Sequence, residues 1–380
     1  MKILRFILAL AVCIVIHTGL NTAEAQSPAP AIQAEIVADN LDHPWALAFL
    51  PDDEGYLITE RGGRLWHISA DAVQRRAITG LPDDLAPGGQ GGLLDIVPGP
   101  DFRKTSFVYF SYSAGDTGGR RNTQVARAVL DLEQQQLRDL ETIFTARPKV
   151  DGGRHFGSRL LFGPKGHLFI TLGERGRKNQ AQNPRNHLGA LVRLNPDGSV
   201  PADNPFVDDP GRRDGIYSYG HRNIQGIARQ PGTDRIWLHE HGPRGGDEVN
   251  IVQKGANYGW PKVTHGIDYD GSIISKKTSM PGMVASVIHW TPSIAPSGLA
   301  FYDGVRFPQW QGDAFAGALA ERHLRYMGVE DAAITDQYEL LGDMGARIRD
   351  VRSGPDGYLY VLTDARNGKL IRITPRNANE

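Results

Sequence analysis

The chain has 380 residues, with 42 Lys and Arg against 43 Asp and Glu, so its formal charge of −1 gives no electrostatic reason to expect nucleic acid or an anionic membrane as partner. A composition of 40% hydrophobic and 22% charged residues is that of a globular protein and excludes a disordered polyelectrolyte. Gly and Pro together supply 69 residues, about 18% against a usual roughly 12%, which favours many turns and few long helices.

At the N-terminus Lys2 and Arg5 form a short basic region, and residues 6–16 an apolar stretch too short to span a bilayer. Ala23-Glu24-Ala25 has the small-x-small form of a signal-peptidase site, so residues 1–25 read as a cleaved signal peptide. Val12 precedes Cys13 where a lipoprotein site needs a small residue. Cleavage removes Cys13, the one cysteine, and leaves a thiol-free product of net charge −2. No later stretch is apolar enough to cross a membrane. The expected product is periplasmic or secreted.

Downstream, one pattern recurs. A short apolar run ends in a Pro, Gly or Asp turn, and a β-rich apolar run follows. It begins at Ala48-Phe49-Leu50-Pro51, Asp95-Ile96-Val97-Pro98 and Leu161-Phe162-Gly163-Pro164, then at Ile227, Leu299 and Val351. Each is a hairpin signal. Six hairpins at intervals of roughly 45 to 70 residues predict an all-β, six-bladed β-propeller. A β-sandwich explains the strands but not the long period. No linker or charge run divides residues 26–380, so they read as one domain.

Between the hairpins lie the polar clusters. His155 sits in Asp151-Gly152-Gly153-Arg154-His155-Phe156-Gly157-Ser158-Arg159, where glycines let backbone approach a ligand and an imidazole suits general-base work. A turn histidine bonded to a nearby carbonyl is the plainer alternative. Arg222, in Tyr219-Gly220-His221-Arg222-Asn223-Ile224-Gln225-Gly226, offers a planar fork to an anion. The stretch from His239 to Asn250 mixes His, Glu and Asp. Its spacing fits neither a helical pair of zinc ligands nor a known finger, while its carboxylates and the carbonyls near Gly242 and Pro243 suit calcium better. Arg347-Ile348-Arg349 puts two guanidinium groups on one strand face. No nucleophile elbow, P-loop or dinucleotide fingerprint is present.

These segments, with Gly89-Gln90-Gly91-Gly92-Leu93-Leu94-Asp95, His241-Gly242-Pro243, Gly246-Asp247-Glu248-Val249-Asn250 and Gly255-Ala256-Asn257-Tyr258-Gly259-Trp260-Pro261, resemble the soluble sugar dehydrogenases that depend on calcium and pyrroloquinoline quinone (PQQ), specifically their aldose sugar dehydrogenase branch. The resemblance runs from about His43 to Thr374. It implies aldose oxidation to lactones with His155 as the base that takes the sugar hydroxyl proton. It implies that Gln90, Arg222, Asn223, Tyr269, Arg347 and Arg349 hold PQQ. The carbonyls of Gly242 and Pro243 match ligands of a calcium beneath the quinone, and Glu248 and the Tyr258 carbonyl match a second, structural calcium. Two positions depart from the glucose-specialised members. Arg154 stands where they have an acid before the base, and Ala320 where they carry a lysine. A calcium-dependent propeller lactonase and a non-catalytic binding propeller are the alternative readings.

Overall fold

A computed structural model describes residues 30–376; the expected signal peptide, residues 1–25, lies outside the described residues. The described residues form six four-stranded antiparallel sheets, the blades of a six-bladed propeller. Five sheets use consecutive strands and cover residues 44–78, 93–145, 160–219, 224–290 and 296–340. The sixth combines Ile348–Ser353, Leu359–Thr363 and Gly368–Pro375 with the first strand of the fold, Ile32–Leu41. The expected architecture is therefore found, and helix is confined to short turns such as Phe102–Thr105.

All six predicted hairpins are the first two strands of a blade. The chemistry of their turns is visible at Gly357, whose φ of +82° closes the turn between Ile348–Ser353 and Leu359–Thr363 at little steric cost. First and second strands are buried on both faces, as in Pro296–Phe301 and Leu359–Thr363, and so read as continuous apolar runs. The outermost strands, such as Ala333–Leu340, are half exposed and carry alternating polar residues. Apolar side chains of neighbouring sheets pack together, for example Leu57, Ile96 and Phe110 between the first two blades, and Phe315, Val351 and Val361 between the last two.

Three buried charges, Asp95, Arg159 and Asp350, and the half-buried Arg352 tie different blades at their inner edges. Arg159 pairs with Asp350 at 2.8 Å, and Arg352 with Asp350 at 3.0 Å and with Asp95 at 2.9 Å. Arg159 also stacks over Trp45 at 4.1 Å and donates through Nη2 to the Arg349 carbonyl at 2.9 Å. This knot joins the blades containing Trp45, Asp95, Arg159 and Asp350 beneath the candidate site.

Candidate active site

The site is built where loops between blades meet. The Gln90 N–H donates to the Gly153 carbonyl at 2.7 Å, and the His155 N–H donates to Gln90 Oε1 at 2.7 Å, so two loops clip each other. His155 adopts φ +57°, and Gly157 adopts φ +64° with its Cα so close to Leu172 that an added Cβ would lie 2.5 Å from the Leu172 Cα. That turn needs glycine on both steric and conformational grounds.

The His155 ring is buried and meets Glu174 Oε1 through Nδ1 at 2.8 Å. A buried carboxylate on Nδ1 fixes the tautomer with the proton there and leaves Nε2 with its lone pair. Burial pushes the His155 pKa below the ordinary 6.5; Glu174 opposes this, and the nearby Arg222 and Arg154 charges assist it. His155 is thus a neutral base at neutral pH.

Beside it lies a cavity of about 250 Å³ whose wall includes Arg61, Gln90, Asn223, Tyr269, Arg347 and Arg349. Five of the six expected cofactor residues are brought together there, and Arg222 lies alongside. Arg347 and Arg349 both approach Asp364 Oδ2, at 3.6 and 2.7 Å, so they do share a face. Asp364 also takes His43 Nδ1 at 2.7 Å on its other oxygen. Burial alone would raise the Asp364 pKa, but Arg349 and His43 outweigh it and hold the carboxyl far below its usual range. Asn223 Oδ1 accepts the Gly157 N–H at 3.1 Å, which commits one end of that side chain to the turn holding His155. Tyr269 is 62% exposed and forms the rim.

Arg222 sits deeper. Its backbone N–H donates to Glu240 Oε2 at 2.5 Å, and its Nη1 donates to the carbonyls of His241 and Gly242 at 3.1 and 2.9 Å. Its Nε is buried without a hydrogen-bond partner. Asp247 anchors the following loop by accepting the Gly242 N–H at 2.7 Å, and Gly242 has no room for a Cβ, which would meet the Gly245 oxygen at 2.1 Å. His239 and His241 are bonded through Nε2 to the carbonyls of Gly298 and Pro296 at 3.0 and 2.7 Å, and His241 also lines the cavity.

Glu248 lies across the sheet from Glu240, and burial together with that like charge pushes its carboxyl up to about 8. The buried Asn250 Oδ1 nearby has no partner. The Tyr258 ring stacks on His221 at a centroid distance of 4.4 Å, while its hydroxyl donates to the Ile251 carbonyl at 2.7 Å. With the phenol committed, Tyr258 has its carbonyl to offer. Glu174, Arg61 and Asp364 were not singled out by the sequence. For Glu174 the one local signal is Gly173, where an added Cβ would lie 2.1 Å from the His155 carbonyl. Arg61 and Asp364 stand in unremarkable polar turns, and only the closed ring brings them to the cavity.

The pattern of the glucose/sorbosone dehydrogenase family matches residues 41–372. Aldose sugar dehydrogenase YliI of Escherichia coli is 47% identical over 360 residues, covering 94% of this chain and 96% of that protein. The crystal structure of the soluble aldose sugar dehydrogenase from Escherichia coli in the apo-form superposes with a TM-score of 0.88 at 47% identity, covering 91% of this chain and all of that one. The PQQ-bound form of an aldose sugar dehydrogenase from Streptomyces coelicolor superposes with a TM-score of 0.76 at 26% identity, again over 91% of this chain and all of that one.

Proposed function

The chain belongs to the glucose/sorbosone dehydrogenase family, and from that premise we propose that it oxidises aldose sugars at the anomeric carbon to lactones, with PQQ and calcium as cofactors. The observation that carries this reading is the buried His155–Glu174 pair beside a cavity whose wall holds three arginines and one carboxylate.

The residues fit the cofactor. PQQ carries three carboxylates, and this wall has an excess of guanidinium groups, with the unpartnered Arg222 Nε beside it. Gln90 and Asn223 add amides, and Tyr269 an aromatic rim. Gly242 and Pro243 would offer the accompanying calcium their carbonyl oxygens, which are hard ligands; the Gly242 oxygen accepts from Arg222 Nη1 at 2.9 Å and would have to be released to the ion or shared with it. Glu248 and the Tyr258 carbonyl fit a second calcium, which would neutralise the crowded Glu240 and Glu248 carboxylates.

When bound, PQQ would supply the acceptor for one hydride, which carries both electrons, and calcium would supply Lewis acidity. The protein's part is acid–base work and placement. His155 Nε2 takes the proton of the anomeric hydroxyl. Glu174 holds the ring in the required tautomer and stabilises the imidazolium that forms. Arg154, in place of an acid, adds positive charge near the base, and we infer that the chain is not specialised for glucose. A lactonase centre would gather carboxylates around its metal, whereas among the described residues Asp364, paired to Arg349, is the one carboxylate in the cavity wall.

No helix among the described residues is long and apolar enough to cross a membrane. We propose export to the periplasm or medium, with cleavage after Ala25 leaving a single catalytic domain; N-terminal sequencing of the exported protein checks it. The deciding experiment for the activity is dye-linked oxidation of an aldose panel by the purified mature chain, with and without PQQ and Ca²⁺. Dye reduction that requires both is expected. Activity indifferent to PQQ, or hydrolysis of a lactone without dye reduction, overturns the reading.

A further inference from the structure

The wall of the cavity contains one cation that the sequence did not single out. The turn at residues 317–320 brings no charge to it, and Leu319 is the residue of that turn that reaches the cavity. Arg347 spends Nη1 on the Leu319 carbonyl at 2.8 Å, and Arg349 spends Nη2 on Asp364 at 2.7 Å. Arg61 enters the same wall from the opposite sequence end, in the turn after the strand Tyr56–Glu60.

Arg61 is half-buried, yet its guanidinium has no hydrogen bond or ion pair among the described residues. Its charge is felt by both Asp364 and Arg349, which places it in their electrostatic neighbourhood. Its backbone is held on two sides. The Arg61 N–H donates to the His43 carbonyl at 3.1 Å. Gly92 packs so tightly against the Arg61 carbonyl that an added Cβ would lie 1.7 Å from that oxygen. The loop that presents Gln90 therefore also seats Arg61. A half-buried cation held in a wall with two others, against one carboxylate, lacks a counter-charge that an anionic ligand would supply.

We propose that Arg61 is a cofactor-binding residue that takes one carboxylate of PQQ. This rests on the reading that the cavity binds PQQ. The test is a binding titration that needs no turnover. PQQ is added to the Ca²⁺-loaded wild-type chain and to Arg61→Gln, Arg61→Lys and a surface control, Arg103→Gln, and quenching of tryptophan fluorescence is followed, since Trp45 lines the cavity.

The expected result is a PQQ Kd raised about ten- to a hundredfold in Arg61→Gln, the scale of one lost charge-assisted contact. Arg61→Lys should fall between, because it keeps the charge and loses the fork, and the control should match wild type. Melting curves without PQQ show whether each variant is folded, and Arg61→Lys carries the test if the glutamine variant is not. A wild-type chain that fails to bind PQQ overturns the cofactor reading and this inference with it. A wild-type chain that binds, with Arg61→Gln and Arg61→Lys both within twofold of it, overturns the role of Arg61 alone.

Discussion

His155 is useful because burial and a neighbouring carboxylate pull its titration in opposite directions. Burial lowers its pKa and Glu174 raises it, with burial the larger effect. A base must be neutral to act, so kcat/KM for sugar should fall as pH drops through a pKa below 6.5, and not before. Glu174→Gln removes the group that raises the pKa, so the acid limb should move to still lower pH. Its plateau should fall about 10- to 100-fold, because a hydrogen bond to a charged group is worth roughly 1.5–3 kcal/mol. A limb that stays in place while the rate falls would mean that Glu174 acts by packing alone. His155→Ala should lose about 10² to 10⁴ in turnover at saturating PQQ and still bind the cofactor. Sequence reading reached His155, because a histidine among glycines is a conspicuous pattern. It missed Glu174, nineteen positions along the chain. An acid after a strand becomes a partner only once Gly173 lets two backbones touch. The alternative of a carbonyl-bonded turn histidine does not describe the His155 ring, whose Nδ1 meets the Glu174 carboxylate.

Strands differ in how far their sequence reveals them. The inner two strands of the blades are mostly buried on both faces and end in Pro or Gly turns, so all six hairpins could be read directly. Outer strands such as Arg75–Ile78 and Gln136–Thr145 are largely polar and carry no comparable signal. The buried knot of Asp95, Arg159, Asp350 and Arg352 was equally hidden, since its members lie up to 257 residues apart. It has a measurable consequence. Asp350→Ala leaves Arg159 and Arg352 short of a carboxylate and the Leu47 N–H short of an acceptor, and should destabilise the fold by about 3–5 kcal/mol in chemical denaturation. A loss below about 1 kcal/mol would mean that water or side-chain rearrangement compensates the pair. The strand Asp247–Ile251 offers a second test. If Glu248 and Tyr258 hold calcium, exhaustive chelation should lower Tm, because a ligand at 100 times its Kd adds about 2.7 kcal/mol. Glu248→Gln should abolish that sensitivity, and an unchanged wild-type Tm after chelation removes the site.

The ring as a whole closes through the first strand of the fold. Ile32–Leu41 pairs with Gly368–Pro375, so the last blade is completed from the other end of the sequence. Arg372 meets Glu35 at 2.7 Å, and Leu41 is buried with Leu47, Ile58, Leu362 and Leu370. The hairpin repeat could not reveal this, because Ile32–Leu41 has no neighbouring strand in sequence to pair with. Closure matters for the site, since Arg61 comes from the first blade and Arg349 and Asp364 from the last. Deleting residues 30–41 should therefore do more than remove one strand. It uncovers the edge of Gly368–Pro375, a template for pairing with other chains, and loosens the seam that positions the arginines. The expected outcome is a Tm lower by at least about 10 °C, a rise in light scattering on warming, and PQQ affinity reduced together with stability. Adding a peptide of residues 30–41 should restore part of each, since the exposed edge presents the hydrogen-bond register that the strand fills. If the truncated chain keeps its Tm and its PQQ affinity, the seam is not what holds the cavity. The charge knot beneath the site, which links the blades without the N-terminal strand, would then carry the closure alone.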